Sequence, residues 1–365
     1  MDTILLIEDT QDERNKLKPA IEQAIKKYNL ETTVQLEILT ENDNIEAMFP
    51  KNQTKETNAL EDRLSTYFDS RKNEIKLLVI DHDLSGYNND KLSEPVISIA
   101  SHASSIPLVR YARISRKSVD NLSDAIDAGS EFSIKVDINN PETAAENIIN
   151  IYSGFQIIKS CIESMNPEDR KKGPAHIMSQ ITKLNTQEDN FWMYVSGANI
   201  LKELIEFQNV ENQNVINQKE KLIIDRLSYV IGYWFYNIVL SFPGVILNSI
   251  AASSYLNIKK DDLLKNKSLF EEAKFNGPFS LTKTYWWKEY LDELIDNEKV
   301  ETGHELLHKN GITVSKEEYG YYCIMTKKPI SYEQSKSLSW LPAGALLSRV
   351  DIDLYDQYAP FFGEY

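Results

Sequence analysis

The first 160 residues alternate short apolar runs with longer segments whose apolar positions recur at helical spacing. This alternation predicts an α/β fold with a parallel sheet built from five strand and helix units. The predicted strands are residues 4–7, 33–39, 77–81, 106–111 and a short run ending at Lys135. The predicted helices are residues 12–28, 60–71, 93–102 and 119–128, and a fifth that begins at Pro141. A polar insertion at residues 40–57 is left without an assigned structure.

Acidic residues stand where two of these strands end. Glu8 and Asp9 follow the first strand and Asp81 follows the third, whereas the fifth strand ends in Lys135. Open α/β sheets place their sites at the carboxyl edge of the strands, so these four residues are expected to meet there. Oxygen ligands of this kind suit Mg²⁺, and the lysine would balance part of the negative charge.

In this arrangement residues 1–160 resemble a response-regulator receiver domain, a doubly wound (βα)5 fold. Its Asp-x-x-Leu-x-Gly signature falls on Asp81, Leu84 and Gly86. The resemblance implies that Asp81 accepts a phosphoryl group from a histidine kinase and that Lys135 contacts it. It also implies Mg²⁺ as cofactor, held by Glu8, Asp9, Asp81 and the backbone carbonyl of Asp83. Further partners on this interpretation are a second response regulator or a second copy of the chain.

The sequence departs from the family pattern beside this site. The family has Ser or Thr at the end of the fourth strand, where this chain has Tyr111 or Ala112, and Ser115 is the nearest small hydroxyl. Val136 stands where the family has Pro. In the family, the hydroxyl at the end of the fourth strand hydrogen-bonds the phosphoryl group and couples phosphorylation to the outer face of the domain. The two differences therefore affect the coupling that the family uses for switching. Arg113, with Asp83, is expected to tune the lifetime of the phosphoryl group.

Composition narrows the partners and the compartment. The chain of 365 residues has a net charge of −15, which disfavours nucleic acid and anionic membranes as partners. Two cysteines and no N-terminal signal segment fit a reduced, cytoplasmic setting. Residues 227–258 carry no charge, and they are interpreted as a buried helical hairpin, with a membrane span as the alternative.

A polar stretch at residues 166–174 predicts a linker to a second domain at residues 175–365. This domain is expected to be mainly helical, with helices at 191–207, 213–240 and 245–256 and one strand at 319–326. Its basic residues do not cluster on a recognition helix, so a DNA-binding output is not expected. The apolar tail from residue 340 onward is expected to dock into its own domain.

One motif points to different chemistry. His304, Glu305 and His308 form His-Glu-x-x-His, the pattern in which two imidazoles bind zinc and the glutamate activates water. The following Gly311 comes early for a long helix, and no spacing places a third ligand. Solvated histidines on a short amphipathic helix are therefore the competing interpretation.

The sequence thus favours a cytoplasmic phosphoacceptor protein that is not an enzyme. It would act through protein contacts or as a phosphate sink, a role compatible with the receiver proteins of Detocs-type antiphage systems. The alternatives are a receiver-regulated zinc metallopeptidase, a pseudo-receiver scaffold that is not phosphorylated, and a membrane-tethered adaptor.

Overall fold

The computed structural model describes residues 1–40, 59–85, 87, 92–113, 131–195, 201–202, 204 and 216–358. It divides into two compact units. Over the described residues, unit 1 draws on the ranges 1–113, 131–163 and 216–233, and unit 2 draws on the ranges 164–204 and 234–358. Each unit is therefore assembled from segments that are not contiguous in the chain.

The helices and strands are numbered in chain order over the described residues. The α-helices are α1 Gln11–Lys27, α2 Leu60–Arg71, α3 Glu94–Ser104, α4 Pro141–Ser164, α5 Pro167–Arg170, α6 Pro174–Ile181, α7 Glu188–Trp192, α8 Ile216–Trp234, α9 Ser249–Tyr255, α10 Lys260–Lys265, α11 Lys288–Asn297, α12 Gly303–Lys309 and α13 Ile352–Tyr358. The strands are β1 Asp2–Ile7, β2 Val34–Leu39, β3 Ile75–Asp81, β4 Leu108–Ala112, β5 Ile134–Asp137, β6 Ile246–Asn248, β7 Lys274–Phe275, β8 Tyr285–Trp287, β9 Tyr321–Cys323, β10 Lys328–Ile330, β11 Ser335–Lys336 and β12 Ser348–Asp351.

Unit 1 is built on a five-stranded sheet in the order β2-β1-β3-β4-β5, with every neighbouring pair parallel. The continuous apolar runs of β1 and β3 occupy its centre, and Ile4, Leu77 and Ile80 are fully buried. A strand that is apolar at every position is typical of a parallel sheet covered on both faces. The predicted α/β fold with a parallel sheet is confirmed.

Most predicted elements of unit 1 lie within a few residues of the observed ones. The helix at Leu60–Arg71 has the predicted bounds, and β5 continues two residues beyond Lys135, to Asp137. Of the insertion at residues 40–57 the structure describes Thr40 alone, and the helix at 119–128, Gly86 and Ser115 lie outside the described residues.

Helix α8 packs within unit 1 at the amino ends of β3 and β4. The Tyr233 hydroxyl accepts the backbone N–H of Leu108 at 2.6 Å and lies 3.2 Å from its carbonyl oxygen. Gly232 permits close contact with the Phe155 ring, because a Cβ at this glycine would lie 2.2 Å from a ring carbon. The helix is therefore an integral part of the unit, although it is distant from the other segments in sequence.

Unit 2 combines short helices with two small sheets. One has the order β6-β8-β7 and is antiparallel, and the other has the order β10-β9-β12-β11 and contains one parallel pair, β9 with β12. The expectation of a mainly helical domain is thus incomplete. The predicted helix at 245–256 is wrong in its first turn, where Ile246–Asn248 forms β6, and the single predicted strand contains β9.

The chain end docks within unit 2 as far as residue 350. Leu347 and Val350 are buried, and the hydroxyl of buried Tyr194 donates to the carbonyl of Gly344 at 2.7 Å. Gly344 has to be small here, since a Cβ would lie 2.2 Å from the Tyr194 ring. Residues 359–365 are outside the described part.

The uncharged stretch at residues 227–258 is broken into several elements. It contains the end of α8, a π-helical turn at Phe235–Val239, then β6 and α9. Within the described residues, none of the helices has the length and apolar character needed to cross a bilayer. The hairpin of two helices is not observed, because a strand precedes the second helix.

Candidate metal centre at the carboxyl edge of the sheet

The acidic residues that follow β1 and β3 converge. Because β1 and β3 are parallel neighbours with Ile7 opposite Ile80, their carboxyl ends lie side by side. Oxygen atoms of Glu8, Asp9 and Asp81 all lie within 4.8 Å of one another. In the part of the chain that the structure describes, this is the only group of three such side chains close enough to hold a metal ion.

Glu8 has no exposed surface. Its Oε1 accepts the backbone N–H of Thr10 at 2.6 Å, and its Oε2 accepts the hydroxyl of Tyr111. Arg14, which is also buried, donates to the backbone carbonyl of Glu8 at 2.8 Å. Both carboxylate oxygens and the backbone of Glu8 are therefore fixed in place.

Burial shifts the protonation of the group. Desolvation raises the pKa of Glu8 to about 7, with smaller contributions from Asp81 and Asp9, although the hydrogen bonds from Tyr111 and Thr10 act in the opposite direction. Burial also raises the pKa of Asp81, and the neighbouring Asp9 and Asp83 add to this effect. Closely spaced carboxylates favour a bound cation, because it offsets their mutual repulsion.

These residues fit a magnesium ion by their chemistry, because Mg²⁺ is bound through carboxylate oxygens and water. Glu8, Asp9 and Asp81 supply the carboxylates. The carbonyl of Asp83 follows in the loop after β3, where the Asp83 carboxylate accepts the N–H of Ser85 at 3.0 Å. Hydrogen bonds from the Ser85 side chain and then from its backbone N–H lower the pKa of the Asp83 carboxyl.

Tyr111 occupies the position beside Asp81 on the next strand. The register of β3 and β4 pairs Asp81 with Tyr111, whereas Ala112 pairs with Asp137 on β5. Tyr111 is fully buried, and its pKa is raised by burial and then by the charge of Glu8. The sequence placed Tyr111 or Ala112 here, but it gave no indication that the hydroxyl is bonded to Glu8.

Two basic residues that the sequence singled out lie on or directly after the neighbouring strands β5 and β4. Lys135 lies on β5 opposite Arg110, and its ammonium is 4.0 Å from the Glu131 carboxylate. Arg113 follows β4 and forms an ion pair with Glu13 of α1 at 2.5 Å. Glu13 and Glu131 were not among the residues that the sequence singled out.

The His-Glu-x-x-His motif lies on α12, a helix of seven residues. The Thr302 hydroxyl accepts the N–H of Glu305 at 3.2 Å, and the Glu305 carboxylate accepts the N–H of Glu301 at 2.9 Å. Thr302 is therefore the N-cap of this helix, and the Glu305 side chain holds the residue before it. Among the described side chains, no third metal ligand joins His304 and His308.

Comparisons with protein-family models, curated proteins and solved structures found no match to this chain. The interpretation of the site therefore rests on its own geometry and on the sequence pattern.

Proposed function

We propose that the chain is a phosphoacceptor signalling protein whose unit 1 acts as a receiver domain, with Asp81 as the phosphorylated residue. The observation that carries the proposal is the convergence of Glu8, Asp9 and Asp81. The strand order β2-β1-β3-β4-β5 supports it, because doubly wound folds of this order bind their ligands outside the carboxyl ends of β1 and β3, at the topological switch point.

The chemistry is transfer of a phosphoryl group between two side chains. A carboxylate oxygen of Asp81 attacks the phosphorus of a phosphohistidine on a histidine kinase. The new P–O bond forms as the P–N bond breaks, and the imidazole that leaves takes a proton from solvent. Bound Mg²⁺ would offset charge on the phosphoryl oxygens. Lys135 would supply a further positive charge, and Arg113 with the Asp83 loop would control the access of water to the acyl phosphate.

The output that we propose is contact with other proteins, either as a switch or as a sink for phosphoryl groups, as in antiphage two-component systems. The kinase and a second response regulator, or a second copy of this chain, are the proposed partners. The net charge of −15 supports protein partners over nucleic acid. No described contact favours the zinc metallopeptidase.

The test is the mass of the intact chain after incubation with acetyl phosphate and Mg²⁺. We expect one added phosphoryl group in the wild type and none in Asp81→Asn or when EDTA is present. Asp69→Asn is the matched control, because Asp69 is an exposed aspartate on α2, and it should be phosphorylated as the wild type is.

Absence of the adduct, with the cognate kinase also failing, would contradict the proposal. The pseudo-receiver scaffold would then be the better function. The burial of Tyr111 in place of the family's small hydroxyl is the observation that favours this second candidate.

A further inference from the structure

Tyr111 differs from the small hydroxyl residue of the receiver pattern in what it contacts. Its side chain is fully buried beside Asp81, yet its hydroxyl donates to Oε2 of Glu8. Glu8 is one of the carboxylates that could hold a cation. The tyrosine therefore acts on a side chain of the candidate metal centre.

Glu8 is held by one donor on each oxygen. Thr10 donates its N–H to Oε1 at 2.6 Å, and Tyr111 donates to Oε2. A carboxylate oxygen has two lone pairs, so each oxygen keeps one direction for a further ligand. Donors that fix a metal-binding side chain in this way typically contribute 10-fold to 100-fold to metal affinity.

We infer that Tyr111 is a positioning residue for the metal ligand Glu8, and that its hydroxyl sets the affinity of unit 1 for a divalent cation. This inference rests on the proposed magnesium site. It assigns the hydroxyl at this strand position to the metal ligand, whereas the receiver pattern assigns a hydroxyl to the phosphoryl group.

The first test measures metal binding without phosphorylation. Mn²⁺, a paramagnetic substitute for Mg²⁺, is titrated into the full-length protein and the free ion is followed by electron paramagnetic resonance. Tyr111→Phe removes only the hydroxyl, and we expect it to weaken Mn²⁺ binding by about 10-fold or more. An unchanged dissociation constant would overturn the inference.

Tyr152→Phe is the matched control. The Tyr152 hydroxyl also donates to a carboxylate, that of Asp2 at 2.7 Å, at the opposite end of β1. A general loss of stability from removing such a bond would affect both variants. Only the Tyr111 variant should show weaker Mn²⁺ binding. Should Tyr111→Phe not fold, Tyr111→Met offers a flexible apolar replacement.

The second test separates the metal from the phosphoryl group. With acetyl phosphate as donor, Tyr111→Phe should raise the half-saturating Mg²⁺ concentration in proportion to the change in metal affinity. The rate at saturating Mg²⁺ should stay within about two-fold of the wild type, because only metal binding has changed. A lower saturating rate with the same half-saturation would show that the hydroxyl acts on the phosphoryl group, which contradicts the inference.

The effect should also depend on Glu8. In a Glu8→Gln background, Tyr111→Phe should cause less than about a two-fold change in Mn²⁺ affinity, because the two residues act through one interaction. If Tyr111→Phe weakened Mn²⁺ binding as much in the Glu8→Gln background as in the wild type, the hydroxyl would not act through Glu8.

Failure of the inference and failure of the proposed function are distinguishable. Wild-type protein that binds Mn²⁺ but forms no adduct at Asp81 would remove the phosphoacceptor function, and the Tyr111 comparison would still test the inference. Wild-type protein that binds no Mn²⁺ would overturn the metal site and the inference together.

Discussion

The two ends of the five-stranded sheet differ in how their acidic side chains are surrounded. At the carboxyl end Glu8, Asp9 and Asp81 gather close to one another. At the amino end buried Asp225 of α8 lies 2.6 Å from Lys159 and 3.2 Å from Lys72. Opposite charges keep each other ionised, whereas a cluster of like charges favours neutral forms and is typical of a site that binds an ion.

The pKa shifts follow this difference. Burial would raise the pKa of Asp225, but Lys159 and Lys72 outweigh it and the pKa is lowered. Burial raises the pKa of Glu8, and the neighbouring acids raise it further. The amino end therefore stabilises the charged form of Asp225, whereas the carboxyl end destabilises the charged form of Glu8.

His102, at the amino end of the sheet, is also held in one protonation state. The guanidinium of Arg226 donates to Nε2 of His102 at 2.8 Å, so that nitrogen must be unprotonated, because arginine cannot accept a hydrogen bond. Burial and then the charge of Arg226 lower the pKa of His102 to about 4. The amino end thus requires a neutral histidine beside its ion pairs.

The largest predicted effect comes from breaking the matched charges. Asp225→Ala should lower the free energy of unfolding of unit 1 by about 3 kcal/mol, because it leaves Lys159 and Lys72 without their buried partner. Urea unfolding, monitored by hydrogen exchange in α8, measures this loss. Exposed Asp69→Ala is the control and should change stability by less than about 0.5 kcal/mol. An equal loss of unfolding free energy in Asp225→Ala and Asp69→Ala would contradict the stabilising role of the buried ion pairs.

The opposite sign is expected at the carboxyl end. Glu8 has a folded pKa of about 7, above its ordinary value of 4.5, so its stabilising contribution is present below pH 4.5 and is lost as pH rises through about 7. Glu8→Gln should therefore stabilise the metal-free protein at pH 8 by about 1–2 kcal/mol. Thermal unfolding in EDTA measures the gain, and added Mg²⁺ should stabilise the wild type only. A destabilised variant would contradict the assignment.

The third prediction concerns acid. Since His102 has a folded pKa of about 4, below its ordinary value of 6.5, its contribution is present above pH 6.5 and is lost as pH falls toward 4. The difference in stability between wild type and His102→Gln should shrink by about 1–2 kcal/mol between pH 7 and pH 5. Parallel pH profiles would refute this. The Glu8→Gln difference should change in the other direction over the same range.

The smallest effect is expected for an exposed ion pair. Arg113 is 65% exposed where it meets Glu13 at 2.5 Å, so Arg113→Ala should cost less than about 0.5 kcal/mol. If Arg113 controls the access of water, the same variant should still change the decay rate of the phosphorylated protein. Unchanged decay would refute that role.

The parallel sheet and the converging acids could be predicted because their signals are local. Four apolar residues before Asp81, and a similar run before Glu8, define buried strands whose ends must meet. The bond between Tyr111 and Glu8 could not be predicted, since a strand pattern gives the register and not the direction of a hydroxyl. Strands of two to four residues, such as β6 and β7, are too short to show an alternating pattern.

The packing of α8 within unit 1 could not be predicted from the sequence either. Its apolar positions predicted a helix, but nothing in them indicated that Asp225 would meet Lys159, which lies before the predicted linker. A boundary drawn at residues 166–174 would therefore separate α8 from the rest of unit 1.

The position of α8 in the chain also matters during synthesis. Residues 1–163 leave the ribosome well before residues 216–233. During that interval Lys72 and Lys159 lack their partner Asp225, and Leu108 lacks the hydroxyl of Tyr233. Domains usually fold in the order of their synthesis. Here the ribosome must translate a segment of unit 2 before α8 can complete unit 1. A pause in translation within that segment would prolong the exposure of the amino end of the sheet.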